Sequence, residues 1–107
     1  MTAVDENPGA TRLPDATATE LFIGGQWRPA SDGGTFTDLN PATGKPLVDV
    51  SAGTGQDIDD AVRAARTQLN GEWGSLPGAA RGRILNKVAD LIERDAEILA
   101  RLEALDV

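Results

Sequence analysis

The hydrophobic period of this chain changes once, near residue 54. Before it, short apolar runs alternate with polar residues and are cut by glycine-rich turns. After it, apolar residues recur at three- and four-residue spacing. The first pattern belongs to half-buried strands, the second to amphipathic helices. Read on its residues alone, the chain is an α+β piece: a leader, three short strands, three helices.

The strand region is punctuated with chemical logic. Leu21-Phe22-Ile23 and Gln26-Trp27-Arg28 flank Gly24-Gly25, a two-residue pair that suits a hairpin turn. Ser31-Asp32-Gly33-Gly34 is a second turn cluster. Thr35 to Leu39 alternates apolar and polar. In Asn40-Pro41-Ala42-Thr43-Gly44, Pro41 presets φ, Asn40 can bond backbone ahead of it, and Gly44 accepts positive φ. Leu47 to Val50 completes the strands.

Thr54 with Asp57 three residues on predicts a capping-box start. Ile58, Ala61, Val62, Ala65 and Leu69 then mark one helix face, and Asn70-Gly71 a stop; the faces of Val62, Leu85 and Leu99 are expected to lack their packing neighbours in this chain. Gly71 to Ser75 is expected as a loop carrying Trp73. Pro77 suits the first turn of a second helix. Ile84, Leu85, Val88, Leu91 and Ile92 form its expected buried stripe. Ile98, Leu99, Leu102 and Leu105 give a third helix nearly in phase. Asp95 falls on the stripe between them and is expected as an N-cap at a helix break. Lys87/Asp90, Asp90/Arg94 and Glu97/Arg101 are candidate helix-surface ion pairs.

Composition closes several functional doors. The 107 residues contain no Cys, no His and no Tyr. A disulfide, a thiolate nucleophile, a cysteine zinc site, an imidazole base and a Ser-His-Asp triad are all excluded within this sequence. Seventeen acids against ten bases, a net charge of −7, argue against nucleic-acid binding. Residues 1–19, rich in Ala, Thr, Pro and Asp, are expected to be a disordered leader, with neither a secretory h-region nor an Arg-rich transit pattern. No apolar run approaches a membrane span, so a soluble, cytoplasmic chain is expected.

Motifs that resemble chemistry have plainer readings. Gly53-Thr54-Gly55 lacks the third glycine of a dinucleotide loop, since Ile58 stands there. Asp57, Asp59 and Asp60 cluster as an EF-hand might, but its sixth and twelfth positions would be Val62 and Gln68. Acids there suit the first turn of a helix. Positions 84, 91, 98 and 105, with 88 and 102, mimic a heptad seam, so a small helical dimerisation module using the 84–105 face is the alternative function. Asp106 at a helix C-terminus is electrostatically misplaced unless a cation or a basic neighbour compensates it.

Several runs together resemble the opening of NAD(P)-dependent aldehyde dehydrogenases. They are Leu21 to Trp27, Thr35 to Gly44, Asp59 to Arg66, Arg81 to Arg94 and Leu102 to Asp106. The likeness covers residues 20–106, is similar in order and spacing, and looks closest to the betaine aldehyde and phenylacetaldehyde branch. It implies an α/β fold, with residues 20–107 as a truncated N-terminal part of a Rossmann-like cofactor domain. It also implies oxidation of an aldehyde to an acid with NAD or NADP. In the family a Cys thiolate attacks the carbonyl, hydride passes to the nicotinamide, and a Glu-activated water releases the acid. The catalytic Cys and Glu, the oxyanion-hole Asn and the cofactor site would all lie beyond residue 107. This chain is therefore expected to be inactive alone, with no catalytic or cofactor-binding residue and no bound cofactor. Its expected partner is the remainder of an aldehyde dehydrogenase, or a homo-oligomer in the full-length family; no nucleic acid or membrane is expected. The resemblance also implies part of a K⁺ or Na⁺ site, from the carbonyls of Asp38 and Leu39 and the carboxylate of Asp106.

Overall fold

A computed structural model describes residues 13–15 and 17–107. Two antiparallel hairpins come first. β1 (Leu21–Ile23) pairs with β2 (Gln26–Arg28), and β3 (Thr35–Leu39) with β4 (Pro46–Ser51). Four helices follow: α1 (Gly55–Leu69), α2 (Glu72–Ser75), α3 (Gly78–Arg94) and α4 (Ala96–Asp106). The single change of period near residue 54 is thus the boundary between the strands and the helices. The strands number four where three are expected, because Leu21–Ile23 and Gln26–Arg28 are separate strands of one hairpin.

The turns form as their residues dictate. Gly24 and Gly25 both hold positive φ, 61° and 81°, as a two-residue hairpin turn matched to strand twist requires. Asn40 is buried yet satisfied. Its Oδ1 accepts the Ala42 N–H at 2.9 Å, and its carbonyl accepts the Gly44 N–H at 2.7 Å. The disordered leader expected over residues 1–19 falls largely outside the described residues. At its end, the Thr19 carbonyl accepts the Ser51 N–H at 2.9 Å and so ties the chain to β4.

The helix region departs from expectation in four ways. Residues 72–75 form a helical turn instead of a loop. Ser75 donates from its N–H and its Oγ to the Gly71 carbonyl, and a Cβ at Gly74 would overlap the Leu69 carbonyl. Pro77 is the residue before α3 rather than inside its first turn, and its carbonyl accepts the N–H groups of Ala80 and Arg81. Asp95 does sit at a break, φ −100° and ψ 15°, but its side chain caps nothing. It takes a two-point ion pair from Arg94 instead, at 2.9 and 2.8 Å. That leaves Asp90 without Arg94, and among the described residues no ion pair joins Lys87 to Asp90 or Glu97 to Arg101.

The largest departure concerns burial. The apolar face of α1 points largely outward, as expected at Val62, with Ile58 62% and Leu69 67% exposed. The covered face is Asp57, Asp60, Ala61 and Ala64, an i, i+3, i+4, i+7 set turned toward the first hairpin. On α3 every residue from 83 to 94 is exposed, including the expected buried stripe. Ala30 and Leu105 are the buried apolar residues among those described. The radius of gyration is 17.3 Å, against about 13 Å for a compact chain of this length. The periodicity marks amphipathic helices, and among the described residues their apolar stripes stay largely uncovered.

Candidate functional site

Two clusters bring distant residues together. The first is built on Asp57, 1% exposed, at the start of α1. Its carboxylate accepts the Thr54 N–H at 2.9 Å, and the Thr54 hydroxyl accepts the Asp57 N–H at 3.2 Å, which is the predicted capping box. The same carboxylate accepts the Ser31 N–H, at 3.2 and 3.1 Å to its two oxygens. Arg28 at the end of β2 adds a charged contact, its Nη2 lying 2.6 Å from Asp57 and 3.0 Å from Asp60. Asp60 also takes the Gln56 amide and Arg63. One carboxylate therefore fastens β2, the Ala30–Gly33 turn and the N-terminus of α1. Arg28 Nε is buried without a partner, so the guanidinium engages through one nitrogen.

The electrostatics follow the contacts. Backbone donation from Thr54 and then Ser31, with Arg28 adding to it, holds the Asp57 carboxyl well below the usual carboxylate range. Arg28, followed by Gln56, lowers Asp60. Arg28 itself is raised, chiefly by Asp60. All of this favours charged, locked groups. It leaves neither a proton donor nor a base near neutral pH.

The lock also answers whether the Gly53-Thr54-Gly55 turn could hold a dinucleotide phosphate. The first N–H groups of a helix bind anions when they are free. Here the Thr54 hydroxyl takes the Asp57 N–H, and the Asp57 carboxylate standing there would repel a phosphate. The described residues do not fit NAD(P) at this turn. A shallow depression elsewhere on α1, lined by Val62, Arg63, Arg66 and Thr67 among others, is the surface of one helix and not a cleft.

The second cluster joins the residues singled out for a monovalent cation. Asp38 and Leu39 flank an irregularity in the β3–β4 register, where a bulge re-aims backbone groups. Leu105, 7% exposed, lies at the end of α4, and its neighbour Asp106 is near enough to the Asp38 carboxyl to perturb it. The Asp106 carboxylate pushes Asp38 above its ordinary value, while the Leu39 N–H pulls the other way. Two carboxyl groups beside a bulged strand are oxygen donors of the kind hard cations prefer. Among the described residues, no three His, Cys, Asp or Glu side chains cluster as a metal site. Any cation here would lean on backbone carbonyls as well.

The family resemblance singles out the carbonyls of Asp38 and Leu39 and the carboxylate of Asp106; in the structure Asp106 perturbs the Asp38 carboxyl. Sequence reasoning missed Arg28 and Ser31. Arg28 lies 29 positions from Asp57, and no local pattern announces such a contact. Among the described residues, no helix is long and apolar enough to cross a membrane.

Comparison with known proteins gives this geometry a family. The sequence profile of the aldehyde dehydrogenase family matches residues 27–107. An aldehyde dehydrogenase from Aspergillus niger is 50% identical over 86 residues, 80% of this chain and 17% of that protein. The solved NAD⁺ complex of aldehyde dehydrogenase from Bacillus cereus superposes with a TM-score of 0.81 at 43% identity, covering 84% of this chain and 18% of the other. The NAD⁺ complex of betaine aldehyde dehydrogenase from Staphylococcus aureus gives 0.79 at 34% identity, over 83% of this chain and 18% of that one. The chain thus spans about a fifth of the length of such relatives. On sequence and fold together, it belongs to the aldehyde dehydrogenase family.

Proposed function

We propose that these residues open a subunit that oxidises an aldehyde to a carboxylic acid with NAD⁺ or NADP⁺, and that the 107-residue segment contributes structure rather than catalysis. One observation carries this reading: the family match over residues 27–107, in a backbone close to that of an enzyme solved with NAD⁺. The cofactor supplies the hydride acceptor. Within this segment there is no Cys for the thiolate attack that the resemblance implies, and the Asp57 carboxylate stands at the N-terminus of α1. The segment's task is to present α3 and α4 to the rest of the subunit. Likeness to betaine aldehyde dehydrogenase supports a substrate in the betaine aldehyde and phenylacetaldehyde class.

In the same reading, a K⁺ or Na⁺ ion sits between β3 and the end of α4. The carbonyls of Asp38 and Leu39 and the carboxylate of Asp106 hold it, and it offsets the repulsion that raises Asp38. The ion's task is to close α4 on β3.

Two measurements test these statements. The purified segment, given NAD⁺ and a panel of aldehydes, should yield no NADH; steady turnover would contradict its inertness. Replacing choline by K⁺ at constant ionic strength should raise its melting temperature. The rise should vanish in Asp106→Asn, and an equal rise in that variant would remove the cation from the account.

A further inference from the structure

We propose that Asn70-Gly71, at the joint between α1 and α2, is a site of spontaneous covalent modification: Asn70 deamidates in the folded chain, and the isoaspartyl product unseats α2 from α1. The sequence narrows the choice. Its asparagines are Asn7, Asn40, Asn70 and Asn86. Ring closure needs the N–H of the following residue. Pro8 and Pro41 have none. Lys87 carries a long side chain and lies in the middle of α3. Gly71 has an N–H and no side chain to crowd the attack.

The geometry leaves this joint open. Asn70 is exposed and stands just past α1, at φ −97° and ψ 2°. Its Nδ2 reaches the Arg66 carbonyl only at 3.4 Å, and the Gly71 N–H donates to the Gln68 carbonyl at 3.2 Å. Long bonds at a helix end are the first to open. Asp32-Gly33 is the contrasting pair, because the same ring could form there. Its glycine N–H is held by the Ala30 carbonyl at 2.8 Å, and Asp32 Oδ1 accepts the Gly34 N–H at 2.8 Å. The glycine that makes Asn70 reactive is demanded by the turn, since a Cβ at Gly71 would crowd the Thr67 carbonyl.

The step balances with water alone. The Gly71 nitrogen loses its proton to solvent base and bonds to Asn70 Cγ. The Cγ–Nδ2 bond breaks, and Nδ2 leaves as ammonia. Water then opens the succinimide at either carbonyl, giving an aspartyl or an isoaspartyl link. Both add a negative charge at the C-terminal end of α1, where the helix dipole disfavours it. The isoaspartyl link also lengthens the main chain by a methylene. The joint has no slack for it. A Cβ at Gly74 would overlap the Leu69 carbonyl, and the Ser75 N–H is bonded to the Gly71 carbonyl at 3.1 Å.

The test is incubation of the full 107-residue chain in mildly alkaline buffer, followed by trypsin and mass spectrometry. The peptide 67–81, released by cuts after Arg66 and Arg81, should gain about 1 Da and split into two products. The peptides holding Asn40 and Asn86 should gain nothing in the same time. The rate should lie within about tenfold of that of a synthetic 67–81 peptide, which has no fold to hold it. A rate more than about tenfold slower would overturn the proposal, as would isoaspartate formed first at Asp32. Asn70→Gln, whose longer side chain does not close the same ring, should stop the gain. A gain that persists in this variant would assign the chemistry to Gln68 and end the proposal. Trp73, half-buried in α2, reads the displacement. In a Trp27→Phe background, the purified isoaspartyl form should emit at longer wavelength than the parent. Asn70→Asp, which adds the charge without the methylene, should not. Unshifted emission in the isoaspartyl form, or an equal shift in Asn70→Asp, would overturn the displacement of α2.

Discussion

The two halves of this chain are held by different forces. From β1 to α1, order rests on a polar lock in which Asp57 gathers donors from Thr54, Ser31 and Arg28. From α3 to α4, order rests on helix-forming sequence and on the seating of Leu105, while the apolar stripes stand in water. Helices of this length are marginal in water when tertiary packing is missing. Polar fastenings can hold one half of a chain while the apolar stripes of the other half stay open.

The strongest way to break that contrast is to open the lock. Asp57→Ala leaves the Ser31 and Thr54 N–H groups without their acceptor and Arg28 without its nearer carboxylate. Amide-exchange protection in α1 should fall by about a hundredfold or more, with α3 little changed. Equal losses in both helices would mean that the halves are coupled.

A pair of leucine truncations compares packed with open surface. Leu105→Ala should cost about 2–5 kcal/mol of the stability of the α4 end. Leu85→Ala, on the open face, should fall within about 0.5 kcal/mol of the parent. Similar costs, read by chemical denaturation, would show that Leu85 is packed in the free chain.

Acid sharpens the comparison by sign. Asp57 and Asp60 are lowered on folding. Their contribution is complete above the unfolded carboxylate pKa of about 3.9 and is lost as pH falls through their folded values. Asp38 is raised, so protonating it relieves repulsion from Asp106 and favours the fold as pH drops. Acidifying below about pH 4 should weaken α1 protection while the contact between β3 and α4 holds or tightens. Tryptophan fluorescence and amide exchange followed together would show α1 surviving acid if this is wrong.

Local chemistry made much of the fold legible. The Gly24-Gly25 turn, the Asn40–Gly44 turn, the capping box and the stop at Asn70 all follow from residues within a few positions of one another. Amphipathic period located α1, α3 and α4 but not what their stripes meet, because periodicity reports a face and not its occupant. Ile58 and Val62 satisfy a core pattern and still face outward. The Arg28–Asp57 contact was not legible, since an ion pair across 29 positions leaves no local mark. The convergence of Asp38 and Asp106 came from family likeness, not from spacing. The small turn at residues 72–75 escaped because four residues show no period.

Native-state amide exchange on the isolated chain tests the central contrast most directly. The account predicts protection concentrated in the β3–β4 hairpin and in α1, with α3 exchanging close to the rate of an unstructured peptide. Uniform protection across α1 and α3, lost in one cooperative transition, would contradict it.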